Sequence, residues 1–213
     1  MTRLAPRDVA ALVRRKDRAF ADVVKRSGPP PARRATPVAE RFSTLATAIL
    51  HQQLAGAAAA AIHGRVVAIV GEPMTPTALL GAGDAALAGC GVSGPKRRSL
   101  FDLAEKCLDG TIDFATIGRK SDADVEAALT CVRGVGPWTA HMFCMFTLGR
   151  PDVWPTGDYG VRAGWTLLHG GGDEVVSARD LEACGDVFRP HRSAVAWYCW
   201  RAVELARTAP QPR

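Results

Sequence analysis

Apolar residues recur along this chain at intervals of three and four. Phe42, Leu45, Ala46, Ile49 and Leu50 fall at i, i+3, i+4, i+7 and i+8, the stripe of a helix that packs one face on a core. No long run alternates apolar with polar at every second position, and Ala, Leu and Arg are abundant, so strand signals are weak throughout. The pattern predicts an all-α fold. A first helix is expected from Asp8 to about Lys25, with Val9, Leu12, Val13 and Phe20 on one side. It ends at Ser27-Gly28-Pro29-Pro30-Pro31, a stiff break that reads as a linker.

Thr36-Pro37 reads as an N-cap followed by proline at the first helical position. The polar cluster His51-Gln52-Gln53 interrupts the helix that follows. An Ala-rich stretch from Ala55 to Val70 resumes it, and Gly71-Glu72-Pro73 stops it. Ser93-Gly94-Pro95 opens another helix with Leu100, Leu103 and Ala104 inside. Lys96, Arg97 and Arg98 in its first turn oppose the helix dipole, which is unfavourable unless an anion sits there. Ser121-Asp122-Ala123-Asp124 resembles a capping box and starts a helix carrying Val125, Leu129 and Val132.

With 213 residues, the chain can bury one generous core or two small lobes. Its apolar runs are broken well before the roughly 18 to 20 residues of a membrane span, and the N-terminal arginines leave no apolar signal-peptide core. A cytoplasmic location is therefore expected, with no membrane partner. Cys90, Cys107, Cys131, Cys144, Cys184 and Cys199 lie far apart without a C-x-x-C pair and read as buried free thiols. Charge is uneven. Residues 1–41 hold 11 Lys and Arg against 4 Asp and Glu, leaving 16 against 17 from totals of 27 and 21. Such a basic segment suits either an arm lying on a polyanion or a solvated helix face with a basic linker.

The most informative stretch runs from Leu129 to Ala140. An apolar helix ends at Gly134, Val135 follows, and Gly136-Pro137 starts a second helix. So tight a join needs a glycine to open positive φ. Its amides, at the positive end of the second helix, would face outward as a cradle for a phosphate. A G-V-G step alone is more often a plain helix–helix turn, but the flanking apolar residues and the W-T-A that follows sharpen it. Downstream, Gly149, Pro151, Pro155 and Gly157 mark a loop before a helix from Val161 to Leu168, placing Asp158 at or near an N-cap. By position alone Asp158 is either a helix cap or a functional carboxylate.

With the blocks G-V-G-P-W-T-A-H-M-F at 134–143 and R-P-D-V-W-P-T-G-D-Y-G at 150–160, residues 36 to about 205 resemble the helix-hairpin-helix DNA glycosylase superfamily. Within it they resemble the 3-methyladenine glycosylase II branch. The resemblance implies a helix-hairpin-helix fold of two helical lobes with the active-site cleft between them. The expected division is a basic N-terminal helix and Pro-rich linker over 1–35, a glycosylase domain of two interleaved lobes over 36–207, and a tail over 208–213. The implied activity is base-excision repair: hydrolysis of the N-glycosidic bond of 3-methyladenine- and 7-methylguanine-type alkylated purines in duplex DNA, with Asp158 as catalytic carboxylate. Breaking that bond builds oxocarbenium character on the sugar, which a fixed anion beside C1′ stabilises. An alkylated purine already carries positive charge and departs without a strong general acid.

The same resemblance assigns Arg133, Gly134, Val135, Gly136 and Thr139 to the DNA backbone, with His141 touching DNA from the hairpin helix. It aligns Gln53 as the residue that fills the stack vacated by a flipped nucleotide, Leu54 beside it. Trp138, Met142, Tyr159 and Trp200 are expected to line the base pocket, where a cationic base gains from π-faces; Trp165 and Trp197 are expected in the core. Bifunctional relatives carry a lysine nucleophile where this chain has Trp138, so strand cleavage is not expected. The iron–sulfur branch carries four closely spaced C-terminal cysteines, against Cys184 and Cys199 here, so no cluster, metal or cofactor is expected. The expected partner is damaged double-stranded DNA, met by a monomer associated with the nucleoid. Two alternatives remain: a glycosylase for oxidised, deaminated or mismatched bases, whose neutral leaving groups need more acid help, and a non-catalytic DNA-binding module, which needs the cradle but not Asp158.

Overall fold

The computed structural model describes residues 4–172 and 174–208, and every regular element among them is helical, as the apolar periodicity predicts. In chain order the α-helices are α1 (Pro6–Lys16), α2 (Ala21–Ser27), α3 (Val38–His51), α4 (Gly56–Val70), α5 (Pro76–Gly89), α6 (Gly94–Leu108), α7 (Asp122–Thr130), α8 (Pro137–Met142), α9 (Tyr159–Leu168), α10 (Ala178–Cys184) and α11 (Arg192–Thr208). A π-helical turn, Phe143–Thr147, continues α8. The tail expected from residue 208 begins as the last helical residue of α11, and 209–213 lie outside the described residues. No helix among the described residues is long and apolar enough to cross a membrane.

The chain forms two compact units. One spans Ala35–Gly149; the other joins the described residues up to Arg34 with those from Arg150 onward. Where the sequence sets residues 1–35 apart, the structure groups Ala35 with the first unit and residues 4–34 with the second. Phe20 is fully buried there, edge-on to Trp165 and Phe188 at 5.8 and 5.7 Å. Burying such an aromatic contributes about 1.5–3 kcal/mol, more than a solvated linker could gain. The single helix expected over 8–25 is also broken. Asp17 adopts an extended backbone (φ −145°, ψ 119°) and its carboxylate accepts the Ala19 amide at 2.9 Å, starting a short 3-10 turn before α2. That break turns Phe20 inward.

In the 35–149 unit, the predicted stripe holds. Phe42, Leu45, Ala46, Ile49 and Leu50 of α3 are all buried, as are Leu100, Leu103 and Ala104 of α6. The start of α3 lies one residue later than expected: Pro37 is the N-cap rather than the first helical residue, and the Thr36 amide donates to Thr147 O instead of Thr36 capping the helix. Ser121 caps α7 as read, its hydroxyl oxygen accepting the Asp124 amide.

In the other unit, α9 and α11 form the tightest contact. A Cβ added to Gly164 of α9 would lie 2.0 Å from the Cys199 carbonyl oxygen of α11, so the two backbones touch. Only a residue without a side chain fits. Gly164→Ala is expected to cost about 3 kcal/mol, the upper end for overpacking a core, as a lower midpoint in chemical denaturation; an unchanged midpoint would contradict the contact.

Candidate active site

Asp158 is the N-cap of α9 and is 9 % exposed. Its Oδ1 accepts the Val161 amide at 2.7 Å, the ordinary bond of an Asp N-cap to the third residue of its helix. The same oxygen accepts the Trp200 indole N–H of α11 at 2.8 Å. The helix-cap reading of Asp158 holds, and a donor from a second helix also grips the same oxygen. Gly160 makes this possible, because a Cβ there would sit 2.8 Å from Trp200 Cδ1 and 3.1 Å from Asp158 Oδ1. Beneath lies Cys199, whose thiol is pushed well above its ordinary value by burial and further by the Asp158 carboxylate.

The loop carrying Asp158 is pinned along its length. Arg192 clamps Asp152 with Nε on Oδ1 at 2.9 Å and Nη2 on Oδ2 at 3.0 Å, a bidentate pair that fixes orientation as well as distance. Ser193 donates its hydroxyl to Arg150 O at 2.8 Å and accepts the Val153 amide at 3.0 Å. Trp154, 6 % exposed, donates its indole N–H to Leu181 O at 3.0 Å. Residues 189–193, which lead into α11, therefore anchor the aspartate loop.

Of the expected pocket residues, Tyr159 and Trp200 lie in this unit, Tyr159 largely exposed and Trp200 half-buried with its N–H on Asp158. Trp138, half exposed, and Met142, at the end of α8, belong to the other unit. Trp165 packs among Phe20, Trp154 and Phe188 and stacks on His169 at 4.1 Å. A cavity of about 250 Å³ in the second unit is lined by residues such as Pro6, Val9, Pro31 and His191 and not by Asp158, so it is separate from the carboxylate.

In the 35–149 unit, the hairpin forms between α7 and α8. Gly134 has the left-handed φ of 76° that the tight join requires; Gly136 does not, at φ −102°, and has open space where a Cβ would go. The expectation that the hairpin amides all face outward needs correcting. The Arg133 amide donates to Asp102 Oδ2 at 2.7 Å, and the Val135 amide to Val132 O at 3.1 Å, because the turn satisfies its own backbone. Among the described residues the amides of Gly134 and Gly136 donate to none. Val135 and Thr139 have buried side chains; with the Val135 amide already on Val132 O, only Thr139 can offer a backbone donor. His141, expected on DNA, is held by Glu126 at 2.9 Å.

The turn after α3 holds Gln53 and Leu54, both exposed. Gln53 is the one non-glycine at positive φ among the described residues, at 56°. His51 beside it faces His63 at 5.6 Å; burial, then the neighbouring His63 and Lys96, push His51 below its ordinary value. Two of the three cations in the first turn of α6 find partners within the protein. Lys96 donates to Leu50 O at 2.6 Å and Arg97 bonds Asp84 at 2.7 Å. Cys90, Cys144 and Cys199 are buried as read, whereas Cys131 is exposed where α7 ends.

A family model described as "HhH-GPD superfamily base excision DNA repair protein" matches residues 46–183. Over 170 residues the chain is 32 % identical to DNA-3-methyladenine glycosylase 1 of Schizosaccharomyces pombe, spanning 78 % of this chain and 74 % of that one. The crystal structure of DNA-3-methyladenine glycosidase from Bacillus halodurans aligns with a TM-score of 0.82 at 31 % identity, covering 94 % of this chain and 91 % of the other. The S. pombe 3-methyladenine DNA glycosylase in complex with abasic DNA also aligns at 0.82, with 28 % identity, covering 95 % and 100 %.

Trp200→Phe keeps an aromatic ring but takes a donor from a buried carboxylate. It is expected to cost about 1.5–3 kcal/mol of stability, with less than additive loss when combined with Asp158→Ala, which removes the accepting oxygen; denaturation of the two single variants and the double variant reads the coupling. Strict additivity would mean that the bond contributes nothing.

Proposed function

The chain belongs to the HhH-GPD superfamily of base excision DNA repair proteins, and we propose that it is a monofunctional glycosylase that hydrolyses the N-glycosidic bond of alkylated purines in duplex DNA. The observation that carries the reading is Asp158: a nearly buried carboxylate, in the loop that follows the hairpin, with one oxygen fixed by the Val161 amide and the Trp200 indole. The names of the relatives, DNA-3-methyladenine glycosylases at up to 32 % identity, support the substrate class.

In this reading the carboxylate stands beside C1′ of the flipped nucleotide. As the bond to the base lengthens, positive charge spreads over C1′ and the ring oxygen, and the fixed anion stabilises it without having to reorganise. The electron pair of the bond leaves with the base, which neutralises the charge that alkylation placed on the purine. Water then adds to C1′, and Asp158 orients it and takes its proton. Trp200 is a positioning residue whose N–H is committed to Asp158, so its contribution to a base pocket is its ring face. Tyr159, in the same unit and largely exposed, offers a further ring face to a flipped cationic base.

The hairpin holds the strand. A phosphate occupies the open space at Gly136, taking the Gly134 and Gly136 amides at the start of α8, with Arg133 exposed alongside. Gln53 and Leu54 fill the vacated stack. At position 138 an indole stands where a lyase needs an amine, so no Schiff base forms there and the strand is left intact.

Asp158→Asn preserves the cap while removing the anion. Release of 3-methyladenine and 7-methylguanine from methylated duplex is expected to fall by about 100-fold or more, with affinity for an abasic duplex changed only a few-fold. The wild type should nick its product only after alkali. Base release by the variant at the wild-type rate would remove Asp158 from the chemistry, and nicking without alkali would overturn the monofunctional assignment.

A further inference from the structure

The turn at residues 51–54 and the hairpin are tied into a closed ring, all within the 35–149 unit. On one side, Lys96 of α6 donates to Leu50 O at 2.6 Å, at the C-terminal end of α3 where a cation is favoured. Along α6, Ser99 lies against the hairpin so closely that a Cβ on Gly134 would come within 2.6 Å of its hydroxyl. One turn further, Asp102 accepts the Arg133 amide at 2.7 Å. Burial alone would raise the Asp102 carboxyl, but hydrogen bonds from Lys106 and Arg133 outweigh it and hold it below the usual range. The ring closes through Gln52, whose side-chain amide donates to Gly134 O at 3.1 Å.

Gln53, the next residue, lies one peptide link beyond this ring, at φ 56°. It is the third residue of a tight turn in which Gln52 has φ −51° and ψ 134° and the Leu54 amide donates to His51 O at 3.3 Å, a turn that requires positive φ at that position. The turn hangs from two fixed points, Leu50 O on Lys96 and Gln52 on Gly134 O. The side chain of Gln53 is exposed. The Gly134 that receives Gln52 through its carbonyl is also the glycine whose amide points to no other described residue.

We infer that Gln52 is the positioning residue that ties the wedge turn to the phosphate-gripping hairpin, so that the reach of Gln53 is set against the strand the hairpin holds. α6 is the ruler between them. Gln52 touches neither base nor sugar; it spares Gln53 the ordering cost of finding its pose when the nucleotide leaves the stack. This inference rests on the reading of Gln53 as wedge.

The test uses the full chain with Gln52→Glu, nearly isosteric but presenting a carboxylate to Gly134 O, and Gln52→Ala, which removes the donor without adding charge. In the DNA-free protein, amide hydrogen exchange is expected to quicken by about 3- to 10-fold, the span of one lost hydrogen bond, in peptides covering 50–56 and 131–138 and nowhere else. With DNA, the preference for an abasic duplex over an unmodified one should fall by a similar factor. Fluorescence of 2-aminopurine beside the site should report less unstacking, while the affinity of Gln52→Ala for unmodified duplex stays within about 2-fold. In a Gln53→Ala background, Gln52→Ala should have no further effect on flipping. Additive losses would mean that Gln52 itself meets DNA and would overturn the inference, as would unchanged exchange in both peptides. If Gln53→Ala impairs flipping and neither Gln52 variant does, the inference alone fails. If Gln53→Ala leaves flipping intact, the wedge reading fails and the inference falls with it.

Discussion

One carboxylate oxygen receives two donors from two helices, and the geometry of the second unit follows from meeting both. The Val161 amide comes from the helix Asp158 begins; the Trp200 indole comes from α11. For the indole to arrive, α11 must lie almost against the backbone of α9. Gly160 and Gly164 stand one turn apart on the same face of α9 and clear that approach, the first for Trp200 and the second for the Cys199 carbonyl. A carboxylate held this way has its orientation settled before any ligand arrives, which is the condition for stabilising charge that exists only in passing.

Holding the loop costs a buried charge, and the structure meets that cost locally. Asp152 would be expensive to desolvate alone, but Arg192, itself 8 % exposed, gives it two parallel hydrogen bonds, and Arg189 adds a third contact at 3.1 Å. Trp154 and Ser193 secure the residues between. The result is a loop rich in glycine and proline that is nonetheless fixed, with its termini tied to α11 at one end and incorporated in α9 at the other.

In the Ala35–Gly149 unit, α6 has the corresponding part. Its first turn was the place where the sequence asked for an anion; two of its three cations are instead engaged by a helix-terminal carbonyl and by Asp84. Lys96 thereby fixes the end of α3, and Asp102 fixes the start of the hairpin. The surfaces assigned to the strand and to the stack are thus organised around one helix.

The all-helical class, the break at His51-Gln52-Gln53, the hairpin and the capping position of Asp158 were legible in the sequence, because each rests on local physics: 3.6-residue periodicity, the positive φ of Gly134, and a capping aspartate after a glycine- and proline-rich loop. The break at Asp17 and the helices α5 and α10 were not. Membership of the superfamily was legible for the same reason, since the hairpin and the aspartate loop are short contiguous blocks. What the sequence could not give are the contacts between residues far apart in the chain. Phe20 joins Trp165 and Phe188, Arg192 clamps Asp152, Gly164 admits Cys199, Trp200 reaches Asp158, and Gln52 reaches Gly134. A glycine inside a helix reads locally only as a weak helix former, and a glutamine in a turn only as polar. Their meaning comes from the neighbour that packing brings within bonding distance, and only the tertiary structure chooses that neighbour.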